Sequence, residues 1–374
     1  MMTTSAVQKS RRSSLFYIAV IVLLLLLPYI IGWFTGDSPY GLNGRPVGNS
    51  VYWQGILIET FIVAILAISY NLLFGFTGVI SFGHALFFGI GCYVLGIFTD
   101  KLGLGDNIAL PLGVLAALLI CGGLGLLVGL VSLRLRGVYF AMFTLAVAEM
   151  AAIYFSRLPA TGSEDGFRVT VPAFLNATSN RLGYYYLVLV LFVLVYALVQ
   201  RLIGSPFGAI LLAIRENEQR AQAIGYNTLT FKLLVIMLAG MLAALAGILQ
   251  VIYNRKVDPS YLSISYTVDP LLMTIIGGVG TFSGPVIGAA ILHLSDRLLR
   301  DAQITIGSLN INIGASWTLI LGIAFIVVVL VFPQGISQLW LGRGSDQGGT
   351  LLRRLRPKAL PQAPSQELDS KQPT

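Results

Sequence analysis

Gly277-Gly278-Val279-Gly280-Thr281-Phe282-Ser283-Gly284-Pro285 sits in the middle of an otherwise apolar region, 263–303. Read as one helix, that region runs to roughly 40 residues, about twice what a bilayer crossing takes, with a breaker cluster at its centre. Two short spans, 263–278 and 285–303, account for it better. Outward from there, apolar stretches of spanning length occur at 15–34, 53–74, 79–98, 108–133, 138–158, 184–203, 230–253 and 315–333. The chain therefore reads as an all-α polytopic membrane protein with about ten transmembrane helices, some short or interrupted by glycine.

Composition excludes the main alternatives. Hydrophobic residues make up 56% of the 374 and charged residues 11%, and the mean hydropathy of +0.82 lies outside the soluble globular range. The net charge of +8 does not indicate nucleic acid, because Lys and Arg sit mostly at segment ends and leave no basic, aromatic-studded surface. Cys92 and Cys121 lie inside apolar runs without a partner at metal-ligand spacing, so they read as core hydrophobes and no metal is expected. The sequence contains no phosphate loop and no paired nucleophile and base, so an enzyme is not expected, nor a cofactor held by this chain.

Charge sets the expected orientation. Lys9, Arg11 and Arg12 precede an apolar run, as in a secretory signal, but Pro28 to Phe34 continue that run without a small-residue cleavage site. An uncleaved first span with a cytoplasmic N-terminus is expected. Ten spans then place Arg134, Arg136, Arg201, Arg215, Arg220 and the basic tail residues Arg353, Arg354, Arg356 and Lys358 on the inside, as the positive-inside rule requires. The outer loops are less one-sided, since they hold Arg157, Arg168, Arg181, Arg255 and Lys256. The organisation expected is a cytoplasmic N-terminal extension, 1–14, a transmembrane domain, 15–335, with a cytoplasmic loop at 204–229, and a disordered cytoplasmic tail, 336–374.

Three segments carry chemistry. In 69–93, Gly75, Gly78, Gly83, Gly89 and Gly91 permit close helix approach, while Asn71, Thr77, Ser81 and His84 place polar groups at membrane depth. They serve either packing or a kink that lines a pathway. His84 reads as a packed, hydrogen-bonded residue and not a proton carrier, as no second intramembrane histidine or neighbouring acid supports a relay. In 134–150, two arginines precede a span that holds Tyr139, Thr144 and, near its middle, Glu149. A carboxylate there is either a functional group or packing glue. The candidate pathway set is completed by Gly277, Gly278 and Gly280.

The third segment is the loop whose centre, Arg215-Glu216-Asn217-Glu218-Gln219-Arg220, carries four charges in a chain poor in them. Ile210, Ile214, Ala221 and Ile224 recur at helical spacing opposite the charges, and Gly225 can close the helix. Its mixed signs are unlike a lipid-surface helix and suit docking into a protein groove. The contact set is Ala213, Arg215, Glu216, Asn217, Glu218, Arg220, Ala221, Ile224 and Gly225.

Together these motifs resemble the permeases of the hydrophobic, branched-chain amino acid ABC importers, in their LivM-like branch. The resemblance rests on Leu73-x-Phe-Gly-x-Thr-Gly-x-x-Ser-Phe-Gly-His-Ala-x-Phe-x-Gly-x-Gly91, Arg134-Leu-Arg-Gly-x-Tyr139, and Arg215-Glu-Asn-x-x-x-Ala221 with Gly225 and Lys232. It extends to Ala243-Ala-Leu-Ala-Gly247 and Gly277-Gly-x-Gly-Thr-x-x-Gly-Pro-x-x-Gly-Ala289, covering about 50–335, with Val79 a minor departure. The resemblance implies the ABC importer permease fold and a bacterial inner membrane location. It also implies a homologous second permease, two ATP-binding subunits that hold ATP and Mg, an extracytoplasmic substrate-binding protein, and a coupling helix formed by the charged loop. Urea or short-chain amide importers are a close branch and one alternative; an ion-gradient-driven secondary transporter is another.

Overall fold

The computed structural model describes residues 4–41, 47–102, 106–135, 137–300, 303–306 and 309–312, with scattered positions between 319 and 336. The helices are α1 (Thr4–Thr35), α2 (Asn49–Thr77) and α3 (His84–Gly96), the last continued by a π turn over Ile97–Lys101. They are followed by α4 (Asp106–Ser132), α5 (Val138–Arg157) and α6 (Arg181–Ile203). The short α7 (Pro206–Glu216) and α8 (Glu218–Ala223) precede α9 (Thr228–Asn254), α10 (Ser265–Gly277) and α11 (Gly284–Arg300). Among the described residues five helices are long and apolar enough to cross a bilayer alone: α2, α4 from Ile108, α5, α6 and α9.

α2 and α9 form the centre and are mostly buried within the chain, whereas α4 and α5 leave most of their surface outside it. Small residues set the approach of α3 to α9. A Cβ on Gly91 would lie 2.6 Å from the carbonyl oxygen of Ala244, so only glycine permits that contact. Pro28 lacks an N–H and frees the carbonyl of Leu24 within α1; the Tyr185 hydroxyl donates to that oxygen at 2.6 Å. At one end of the bundle, Phe167–Arg168 pairs antiparallel with Lys256–Val257, tying the α5–α6 connection to the α9–α10 connection. α7 and α8 lie at the other end.

The spans expected at 263–278 and 285–303 appear as α10 and α11, which turn about the Gly277–Gly284 break. At 1.5 Å per residue, the 13 residues of α10 are about 20 Å long, short of a full hydrocarbon core. The helix expected over 79–98 begins instead at His84, because Gly78 ends α2 and residues 79–83 are not helical. α1 already begins at Thr4, ahead of the expected start at residue 15. Most of the span expected at 315–333, and the tail beyond Ile336, lie outside the described residues.

Gly91→Ala is expected to lower the thermal unfolding midpoint in detergent, at a cost of about 1–3 kcal/mol for overpacking. Gly123→Ala, where an added Cβ meets nothing within 4 Å, should leave it unchanged or raise it. Equal effects at the two sites would refute the close α3–α9 contact.

Candidate functional site

α2 stops at Gly78, whose φ of 74° few side chains tolerate and whose N–H returns to Phe74 O. The chain then runs back along α2 without helical bonds, so its peptide groups need other partners. Polar side chains supply them. The Tyr70 hydroxyl donates to Ser81 O at 3.2 Å, and Phe82 N–H donates to Thr144 Oγ1 at 3.1 Å. Gly83 N–H donates to Ser81 Oγ at 3.2 Å, and Ala85 N–H to Thr267 Oγ1 at 2.8 Å. An unpaired buried peptide group costs about 1–3 kcal/mol, so these residues make the break possible.

His84 opens α3 in full burial, edge-on to Tyr70, with Nε2 2.8 Å from Ser69 Oγ. Ser69 Oγ also lies 2.7 Å from Leu66 O, so the pair ties the start of α3 to the backbone of α2. A cavity beside the break, lined by residues including Leu73, Ser81, Gly83 and Thr144, measures about 10 Å³, room for one water.

The second break packs against the first. The Asn71 amide accepts from Gly280 N–H at 2.9 Å and donates to Thr281 O at 3.0 Å, holding the α10–α11 turn on α2. Gly280 has φ 77°, and a Cβ on Gly75 would lie 2.7 Å from its nitrogen. Asn71, Gly75, Gly78, Gly277, Gly278 and Gly280 thus gather at one junction, with Ser81, His84 and Thr144 around the neighbouring break. Arg215 reaches the same junction, its Nη1 donating to Gly75 O.

The single helix expected within the charged loop is two helices. Asn217 leaves the helical region at φ −160°, and its side chain accepts from Arg220 N–H at 2.9 Å, ending α7 and capping α8. Leu211, Ile214 and Ala221 are buried, and Ala213 is half-buried. Glu218 meets Lys232 of α9 at 2.6 Å. Arg215, Glu216, Asn217, Gln219, Arg220, Ile224 and Gly225 are exposed, the last with φ 96°, although the Arg215 guanidinium reaches Gly75 O.

α5 stands apart from the junction except at Thr144. Its outward stripe includes Tyr139, Met142, Met150 and Ile153, and the half-buried Glu149 lies at the stripe's edge.

A further polar cluster escaped the sequence reading. Glu59 of α2 forms an ion pair with Arg297 of α11, and His293 Nε2 lies 3.3 Å from the same carboxylate, near enough for attraction but out of line for a hydrogen bond. Arg300 pairs with Asp296 at 3.0 Å one turn on. The expectation that the chain has no second intramembrane histidine and no acid beside one is thereby corrected. His293 meets Glu59, although neither touches His84. The signals were present: a lone acid at mid-span, and His293 and Arg297 four residues apart on one helix face.

The family described as "Branched-chain amino acid transport system / permease component" matches residues 52–330. The LivM permease of the high-affinity branched-chain amino acid transport system of Salmonella typhimurium is 27% identical over 324 residues, covering 78% of this chain and 73% of that protein. The probable LivM permease of Methanocaldococcus jannaschii is 26% identical, covering 75% and 92%. The LivH permease of Salmonella typhimurium is 24% identical, covering 73% and 90%.

A double-mutant cycle on Glu59→Gln and Arg297→Met should show each single change lowering stability by about 1–3 kcal/mol, because it strands the partner charge, and the pair losing less than the sum. Strictly additive losses, read from unfolding in detergent, would show the two groups to be uncoupled.

Proposed function

Because this chain belongs to the family of branched-chain amino acid transport permeases, we propose that it is the membrane subunit of an ABC importer for neutral, branched-chain amino acids. An extracytoplasmic binding protein delivers the substrate, and separate subunits hydrolyse ATP. The match over residues 52–330 carries the reading. Likeness to both LivM and LivH of one organism supports pairing with a second, homologous permease. The relatives do not favour urea or amide transport, nor a self-contained gradient-driven carrier.

The α7–α8 hairpin is the coupling element. It exposes Ile224, 67% accessible, among Glu216, Gln219 and Arg220, an apolar contact ringed by mixed charge that suits a protein groove better than lipid. Arg134, Arg201, Arg215 and Arg220 lie at the hairpin's end of the bundle, which supports placing that end in the cytoplasm. At the opposite end, Arg181 is turned inward to Val51 O and Tyr253, and Lys256 is paired with Asp258, which lessens the weight of those cations in the orientation rule. The outward stripe of α5, with Glu149 at its edge, is the surface that the second permease covers, since a carboxylate at mid-span is costly against lipid. The junction at Asn71, Gly75 and Gly280 and the break at Ser81 to His84 flank the pathway.

Purified with its ATP-binding subunits and loaded binding protein, the complex should take up leucine into proteoliposomes only with ATP inside. Gradient-driven uptake by this chain alone would overturn the reading. Glu216→Ala combined with Arg220→Ala should cut binding-protein-stimulated ATP hydrolysis by about tenfold, a coupling free energy near 1.4 kcal/mol, while the permease stays folded and inserted. Glu149→Gln should leave assembly intact and alter transport; a loss confined to folding would assign Glu149 to packing.

A further inference from the structure

The carbonyl accounting at the end of α2 leaves one group to explain. Phe74 O accepts from Gly78 N–H, but the chain leaves the helix there, so Gly75 O has no donor four residues on. Arg215, in the last turn of α7, supplies it. A cation at that place also opposes the negative end of the dipole of a 29-residue helix. The same side chain lies against the second break: a Cβ added to Gly280 would run into Arg215 Nη1, and one added to Gly78 would stand 3.4 Å from Arg215 Cγ. Asn71 fixes Gly280 and Thr281 to α2. One guanidinium therefore joins the coupling hairpin to the end of α2 and to the α10–α11 turn.

We propose that Arg215 is a positioning residue that carries movement of the α7–α8 hairpin into the two broken segments, and that it is not a contact for the ATP-binding subunit. The proposal rests on the permease reading above and divides the charged stretch by task. Glu216 and Arg220 face outward to be gripped. Arg215, although exposed, directs its guanidinium to Gly75 O and transmits. Glu218, through Lys232, holds the hairpin to the second turn of the unbroken α9. A guanidinium suits the inward task because its planar fork offers several donors in fixed directions, whereas an ammonium is a single point of charge.

The test uses the whole importer, purified through this chain and reconstituted, with leucine as substrate. Three quantities are read: ATP-binding subunits recovered with the permease, ATP hydrolysis with and without loaded binding protein, and leucine taken up per ATP. For Arg215→Met, subunit recovery should match wild type while uptake per ATP falls about tenfold and hydrolysis no longer responds to loaded binding protein. Arg215→Lys should assemble likewise and lose about fivefold. Loss of the ATP-binding subunits from either assembled variant would make Arg215 a contact and overturn the proposal, as would wild-type uptake per ATP in both. If Arg215→Met does not fold and insert in the membrane, Arg215→Lys decides by the same criteria. Failure of the wild-type chain to recover any ATP-binding subunit would instead overturn the permease reading.

Discussion

Peptide groups shielded from water must find partners within the protein, and the architecture of this chain follows from how that requirement is met where helices break. Residues 78–83 and 278–283 leave the helical ladder inside the bundle. At the first break Tyr70, Ser81, Thr144 and Thr267 answer the freed groups, and at the second Asn71 does so. The proline in α1 poses the same problem and is met the same way, by Tyr185. Each such bond is worth only about 1 kcal/mol net, but leaving the group unmet costs more, so the polar residues are where the breaks require them.

Polar residues within the helices therefore serve the backbone where it leaves the helical ladder. His84 and Ser69 support the start of α3 through a buried hydrogen bond. The two breaks share the α2 surface, so a displacement of α2 acts on both. Tightly packed interiors shift between discrete arrangements and do not deform smoothly, and short helices ending at a common junction are suited to such a shift. The charged hairpin touches that junction through the Arg215 guanidinium while exposing Glu216 and Arg220, so an exposed charged surface and a contact with the junction lie within six residues.

Much of this was legible in one dimension. Gly277 to Pro285 announced a turn between short helices, and the helical spacing of apolar residues around 215–220 announced helix there. Boundaries were less legible: nothing in the apolar pattern distinguished residues 79–83 from the helix that follows them. Asn217 divided the charged loop because its side chain competes with the backbone for helical bonds, a preference that burial of Ile214 and Ala221 on either side allowed to prevail. The Glu59, His293 and Arg297 cluster was overlooked because its halves stand 238 residues apart, although each half had a local sign.

The sequence by itself determined the membrane class, the break at Gly277 to Gly284, the family, and the presence of a charged, helix-forming loop. These depend on local hydropathy, on glycine and proline, and on the spacing of motifs. Only the tertiary structure decided that Arg215 turns inward to Gly75, that Asn71 holds the distant Gly280, and that Glu59 faces Arg297. Those pairings join residues more than a hundred positions apart, and they form because a buried charge or peptide group takes whichever partner packing brings within reach.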